Sequence, residues 1–230
     1  MQSEFNIPKV ELHRHLEGAT PPTLIRQIAH EKKTDINGIF DDQGSYVFRD
    51  FAHSLAVYEA ATSVLIEPLD FYRLTRAVLD QSAAHGVVYT EAFLSPDFCE
   101  QAKLGPCREY LSAIQEAARE VEKVHGIIMK GSVTCILHFG RDKAKNTAFC
   151  AVETSGDFIC GFGIGGAETF GVQANYPYSF DMAREAGLSL KTNAGAWVGA
   201  ESVRQAIFDQ KVERLGHGVR VIEGSHLLDE

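Results

Sequence analysis

Residues 8–19 read PKVELHRHLEGA, and this stretch opens the first regular pattern of the chain. Its first half predicts a short β-strand, because Val10 and Leu12 alternate with polar or charged residues. His13 and His15 lie two residues apart, so both imidazoles point to the same face of that strand. Two neutral imidazoles at the carboxyl end of a barrel strand can chelate a divalent metal, although solvated histidines also show this spacing.

Strand-like and helical patterns alternate along the rest of the chain. Further strands are predicted at residues 87–94, 127–139, 158–164, 188–194 and 214–219. Helices are predicted at residues 21–33, 48–65, 68–85, 108–125, 142–155, 178–186 and 201–209. This alternation implies parallel βαβ units, as in a doubly wound sheet or a barrel. The nucleotide-binding markers of open sheets, Gly-x-Gly-x-x-Gly after the first strand and a P-loop, are missing.

Composition and charge narrow the class of protein. The 230 residues are 45% hydrophobic and 23% charged, which predicts one globular domain over residues 1–230. A net charge of −9 argues against a nucleic-acid partner. The sequence contains no apolar run long enough to span a membrane, and its first residues lack the basic and apolar segments of a signal peptide. These absences predict no membrane partner. The five cysteines are odd in number and include no Cys-x-x-Cys pair, which is typical of reduced thiols in a cytoplasmic protein.

Four later stretches, together with residues 8–19, carry a resemblance to a known family. They occur in the same order and at suitable spacing, and they are YTEAFLSP (89–96), GIGGAE (163–168), TNAGA (192–196, followed by Glu201-Ser202-Val203) and RLGHGV (214–219). On these motifs the chain resembles the adenosine and adenine deaminases of the metal-dependent amidohydrolase superfamily. The resemblance spans almost the whole chain and implies a TIM-type (β/α)₈ barrel.

The resemblance also implies a chemistry and roles for particular residues. In this family a zinc-bound water attacks the purine carbon that carries the amino group. By resemblance, His13 and His15 are two zinc ligands, and Glu17 lies near a ribose or a purine edge. Gly166 presents its backbone to the purine. His217 stabilises the attacking hydroxide and the charge of the tetrahedral intermediate. The implied ligand is a purine nucleoside or base.

Three positions depart from the family pattern. Asn193 occupies the position of the third zinc histidine, and an amide oxygen is a weak neutral ligand for zinc. Ala196 replaces the glutamate that protonates the purine ring, and loss of a general acid typically costs a factor of about 10² to 10⁴ in rate. Ala167 replaces an aspartate. We therefore expect zinc binding to be weak or absent.

The strand count predicts an incomplete barrel. The pattern supplies about six βα units, whereas a complete barrel has eight and typically about 250 residues. The family places a zinc-binding aspartate after a later strand, and no residue after the sixth strand matches it. A barrel without its last units has open strand edges and uncovered apolar side chains, which predicts self-association.

Three functional hypotheses remain open on the sequence. The first is a working deaminase whose barrel is completed by another chain, which leaves Asn193 and Ala196 unexplained. The second is a homologue without catalysis that binds a purine or a protein. The third is a truncated or altered relative without a selected function. All three share the expectation of a deaminase-like chain, and the last two imply that its own activity is lost or severely impaired.

Overall fold

The structure is a computed structural model, and it describes residues 7–36, 38–99, 104–170, 175–224 and 226–229. These residues form two compact units. The first unit contains most residues up to 130, and the second contains residues 95–97 and the residues from 131 onward. In the described part of the chain, every helix falls short of the length and apolar character needed to cross a bilayer.

The first unit contains one pair of parallel strands within its described residues. Its elements are β1 (Lys9–His15), α1 (Pro22–Lys32), α2 (Phe51–Thr62), α3 (Pro68–Ala84), β2 (Val87–Leu94) and α4 (Leu104–His125). In the register of β1 and β2, Lys9 lies opposite Val87 and His15 lies opposite Phe93. The carboxyl ends of both strands therefore meet at one edge, as the predicted βαβ alternation requires.

Side-chain caps mark the starts of α2 and α3 in this unit. The predicted helix over residues 48–65 is shorter in the structure, because the Asp50 carboxylate accepts a hydrogen bond of 2.7 Å from the His53 N–H and starts α2 at Phe51. Before α3, Glu67 and Asp70 form a reciprocal capping box around the proline that begins the helix. These caps explain why α2 and α3 begin at the residues where they do.

The second unit contains parallel strands that pair in chain order. Its elements are β3 (Ile128–Ile136), α5 (Arg141–Glu153), β4 (Ile159–Gly165), α6 (Pro177–Glu185), β5 (Ser189–Ala194), α7 (Ala200–Arg204) with a π-helical turn (Gln205–Asp209), and β6 (Arg214–His217). From residue 131 onward, β3 pairs with β4, β4 with β5, and β5 with β6. The predicted parallel pairing is confirmed in this unit as well.

Glycine in β4 lies close to the backbone of the neighbouring strand β5. A Cβ atom on Gly163 would lie 2.9 Å from the backbone oxygen of Lys191 on β5. On β4 itself, the buried ring of Phe162 meets Phe180 of α6 edge-on at 5.3 Å between centroids. The glycine-broken pattern of the predicted fourth strand therefore reflects tight packing between strands.

One predicted helix in this unit changes its type along its length, and one predicted strand boundary is wrong. The helix expected over residues 201–209 is α-helical only to Arg204 and then continues as a π-helical turn, in which the Gln210 N–H bonds to the Gln205 oxygen. The strand expected over residues 214–219 ends at His217. His217, the last residue of β6, and Gly218 have positive φ angles of 68° and 66°, which turn the chain out of the extended conformation and end the strand there.

Candidate functional site

His13 and His15 lie together at the carboxyl end of β1. Their ring centroids are 5.7 Å apart, and the ring of Phe93 on β2 contacts both, at 5.3 Å from His13 and 4.9 Å from His15. The structure thus places both imidazoles on one side of the strand, as their spacing predicts. Their role as metal ligands stays a prediction from the resemblance.

Both histidines line an open cleft of about 580 Å³ in the first unit. The lining side chains and backbone come from β1 and the segments that follow it: Glu11, His13, Arg14, His15, Gly18, Ala19 and Tyr58. Arg14 and Glu11 form an ion pair in this wall. The cleft therefore combines two imidazoles, a tyrosine and a paired charge.

Glu17 is buried, with 1% of its surface exposed. Its carboxylate accepts a hydrogen bond of 2.5 Å from the Tyr110 hydroxyl and a longer one of 3.3 Å from the Tyr58 hydroxyl. Sequence reasoning missed both tyrosines, because they lie on α4 and α2, far from Glu17 along the chain. Glu17 is thus engaged by the protein itself, and its predicted contact with a ribose or purine stays untested.

Gly166 forms the turn that follows β4 in the second unit. Its φ of 98° suits glycine, and a Cβ atom there would lie 2.9 Å from Nδ1 of His138. The next backbone N–H, of Ala167, donates a hydrogen bond of 3.2 Å to the same nitrogen. Since Nδ1 accepts this bond, a neutral His138 carries its proton on Nε2. His138 thereby fixes the turn that the resemblance assigns to the purine.

Glu168 is buried at the start of the next turn and binds the loop after β5. Its Oε2 accepts hydrogen bonds from the backbone N–H groups of Ala196 (3.0 Å), Trp197 (2.8 Å) and Val198 (3.2 Å). Its Oε1 accepts from the Gly195 N–H at 2.6 Å and from the Ser202 hydroxyl at 2.5 Å. One carboxylate thus receives four consecutive main-chain donors and a hydroxyl.

These contacts set the pKa of Glu168. Burial acts to raise the pKa, whereas the Ser202 hydroxyl and the backbone N–H groups of Trp197, Val198 and Gly195 act to lower it. The hydrogen bonds prevail, so the pKa of Glu168 lies below its ordinary value. The carboxylate is therefore charged at neutral pH, which strengthens each of its hydrogen bonds.

Asn193 and His217 lie on neighbouring strands of the second unit. In the register of β5 and β6, Asn193 is opposite Gly216, and Ala194 is opposite His217. Asn193 is half-buried, and His217 is exposed at the point where β6 ends. The structure thus places the altered ligand position within one register step of the predicted catalytic histidine.

The donor set can be tested against a zinc ion. Imidazole nitrogens such as those of His13 and His15 suit zinc, whereas the neutral amide of Asn193 is a poor ligand. Among the residues that the structure describes, no three or more His, Cys, Asp or Glu side chains are grouped as a metal site. The two imidazoles of His13 and His15 alone fall short of the three or four protein ligands that zinc sites usually have.

The fold and the order of these motifs define an α/β protein of the TIM-barrel class. The family model described as adenosine deaminase matches residues 8–230. The chain is 37% identical over 220 residues to an adenine deaminase of Chelativorans sp. and 38% identical over 224 residues to one of Rhizobium leguminosarum. These alignments cover 96% and 97% of this chain, and 67% and 69% of the relatives. The chain belongs to the adenosine deaminase family.

Solved structures agree with this assignment. The crystal structure of an adenine deaminase from Arthrobacter aurescens matches with a TM-score of 0.86 and 26% identity, over 96% of this chain and 67% of that one. An amidohydrolase from Burkholderia ambifaria, solved with bound zinc, matches with a TM-score of 0.88 and 23% identity, over 98% and 63%. The predicted α/β fold of TIM type is thereby confirmed, with six parallel strands among the residues that the structure describes. The chain spans about two-thirds of these relatives.

Proposed function

We propose that this chain binds adenine and that its own hydrolytic deamination of adenine or adenosine is lost or severely impaired. The choice of the base over the nucleoside is supported by the two relatives named above, which are adenine deaminases. The same proposal includes weak or absent zinc binding.

The proposed loss of activity rests on one observation, the identity of the residues at positions 193 and 196. In the second unit, Ala196 places a methyl group where the family has its proton donor, and a methyl group transfers no proton. Loss of a general acid costs a factor of about 10² to 10⁴ in rate. Asn193 adds a neutral amide in place of an imidazole ligand. Both changes act on the same chemical step, so their effects are not summed.

The test combines binding, metal content and turnover of the purified chain. Calorimetry with adenine, adenosine and inosine is expected to show binding that is strongest for adenine. Elemental analysis is expected to find less than one zinc per chain. Adenine absorbance in the presence of excess zinc is expected to stay nearly constant. Turnover at an ordinary enzymatic rate, about 1 to 10³ s⁻¹, contradicts the loss of activity, and failure to bind any of the three purines contradicts purine binding.

A double variant provides the converse test. Asn193→His with Ala196→Glu restores an imidazole ligand and a carboxylic acid at the two altered positions. We expect the zinc content to rise, together with a measurable rate of adenine deamination. Asn146→His, on the exposed surface of α5, adds a histidine elsewhere and serves as the control. An equal rise in zinc content for both variants indicates adventitious binding and contradicts the assigned role of position 193.

A further inference from the structure

The loop after β5 is built around a run of main-chain donors. Residues 195–198 supply four consecutive N–H groups, and all four point at the Glu168 carboxylate. A concave run of N–H groups in a loop is an anion-binding nest. Here the chain supplies the anion itself, from the turn after the neighbouring strand β4. The conformation of the loop therefore depends on a residue outside it.

Carbonyl oxygens of the same loop are also hydrogen-bonded. Arg220, which follows β6, donates from its guanidinium to the backbone oxygen of Trp197 and from its backbone N–H to the Gly195 oxygen at 3.1 Å. Gly195 has a φ of 70°, and a Cβ atom there would lie 2.5 Å from a methyl group of Val203. The loop thus begins at a position that only glycine fits. Both its N–H groups and its carbonyl oxygens form hydrogen bonds.

None of these bonds involves a side chain of residues 195–198. The backbone at position 196 is consequently fixed whichever side chain that position carries. We infer that Glu168 is a positioning residue of the candidate site. Its carboxylate holds the loop of residues 195–198 in one conformation. The direction in which the side chain at position 196 leaves the backbone is set in this way. The inference rests on the proposed function only in assuming that this loop contacts the bound purine.

The chemistry of an amide at position 168 makes the inference testable. Glu168→Gln keeps the size of the side chain but replaces one acceptor oxygen with an NH₂ group. If that NH₂ group faces Ser202, the hydroxyl can turn to accept from it, but the Gly195 N–H then loses its acceptor. If it faces Ala196, Trp197 and Val198, all three N–H groups lose theirs. Either orientation leaves at least one main-chain donor without a partner.

Amide hydrogen exchange, followed by NMR, measures this directly. In the wild-type chain we expect the N–H groups of residues 195–198 to be protected, which is unusual for a loop. In Glu168→Gln we expect their exchange to accelerate by about tenfold or more, since each lost bond to a charged acceptor opens the loop. The amide of Thr192 in β5 reports on the strand and is expected to change little. Glu185→Gln, an exposed carboxylate on α6, is the matched control.

Adenine affinity provides a second readout. We expect Glu168→Gln to weaken adenine binding at least about tenfold, while Glu185→Gln leaves it unchanged. Ser202→Ala removes one hydrogen bond and retains the carboxylate, so a smaller effect of the same sign is expected. This variant also keeps the inference testable if Glu168→Gln fails to fold.

The outcomes separate the inference from the proposed function. Rapid exchange of residues 195–198 in the wild-type chain, or exchange that neither Glu168→Gln nor Ser202→Ala accelerates, overturns the positioning role. Accelerated exchange with unchanged adenine affinity overturns the link between the loop and the ligand. If the wild-type chain binds no adenine, the proposed function fails, whereas the exchange measurements still decide whether Glu168 orders the loop.

Discussion

At the scale of single residues, the buried carboxylate of Glu17 depends on a hydroxyl that the sequence does not reveal. Tyr110 on α4 donates to it at 2.5 Å, and its ring also meets Phe71 of α3 edge-on at 4.4 Å between centroids. The ring contact survives removal of the hydroxyl, so the hydrogen bond can be tested separately from the packing.

Tyr110→Phe is expected to destabilise the protein by about 1 to 3 kcal/mol, because a buried carboxylate loses a short hydrogen bond. The measurement is the free energy of unfolding from urea denaturation. Tyr72→Phe is the control, since the Tyr72 hydroxyl donates at the same distance to Glu120, which is 40% exposed and can bond to water instead. A loss in Tyr72→Phe as large as that in Tyr110→Phe contradicts the importance of burial.

Residue-scale reasoning from the sequence succeeded where the signal is local. The spacing of His13 and His15 predicted one shared face, and the structure places both rings at one cleft. The sequence did not reveal the tyrosines around Glu17 or the run of N–H groups around Glu168. Those contacts join residues far apart in the chain. Four of the partners of Glu168 are main-chain N–H groups, and a sequence does not indicate which main-chain groups bind a given side chain.

At the scale of elements, local patterns predicted the strands and helices but not all their ends. The alternation of β and α segments was confirmed in each unit, since hydrophobic periodicity reports directly on which face is buried. The end of β6 was wrong because His217 adopts a positive φ, which side-chain patterns do not encode. The helix after β5 changes to a π-helical turn for a similar reason, because the i to i+5 bond belongs to the backbone.

The packing of β4 against β5 yields a prediction of its own. In Gly163→Ala the new Cβ atom lies 2.9 Å from the Lys191 backbone oxygen, a contact that only a shift between the strands relieves. We expect a destabilisation of about 1 to 3 kcal/mol, typical of overpacking in a core. Urea denaturation measures it, and Gly156→Ala, where a Cβ atom meets nothing within 4 Å, is the control. Equal stability of both variants contradicts this account of β4.

At the scale of the whole molecule, two buried carboxyl groups give the stability opposite dependences on pH. Burial raises the pKa of Asp97, against the hydrogen bonds from the Thr147 hydroxyl and the Ile136 N–H. The folded protein therefore binds this proton more tightly, and the contribution of Asp97 to stability falls as pH rises from 3.8 through the folded pKa. The pKa of Glu168 is lowered, so its contribution is present above pH 4.5 and is lost as pH falls through the folded pKa.

Two variants separate these contributions in measurements of unfolding free energy from pH 3 to pH 7. In Asp97→Asn the amide can accept from the Ile136 N–H and donate to the Thr147 oxygen, so its stability relative to wild type is expected to increase as pH rises. Glu168→Gln removes a carboxylate that is stabilised when charged, so its deficit is expected to be largest at pH 7 and to shrink below pH 4.5. The two stability differences from wild type thus change in opposite directions as pH rises. The folded structure favours the neutral form of Asp97 and the charged form of Glu168. Parallel curves for both variants contradict this assignment.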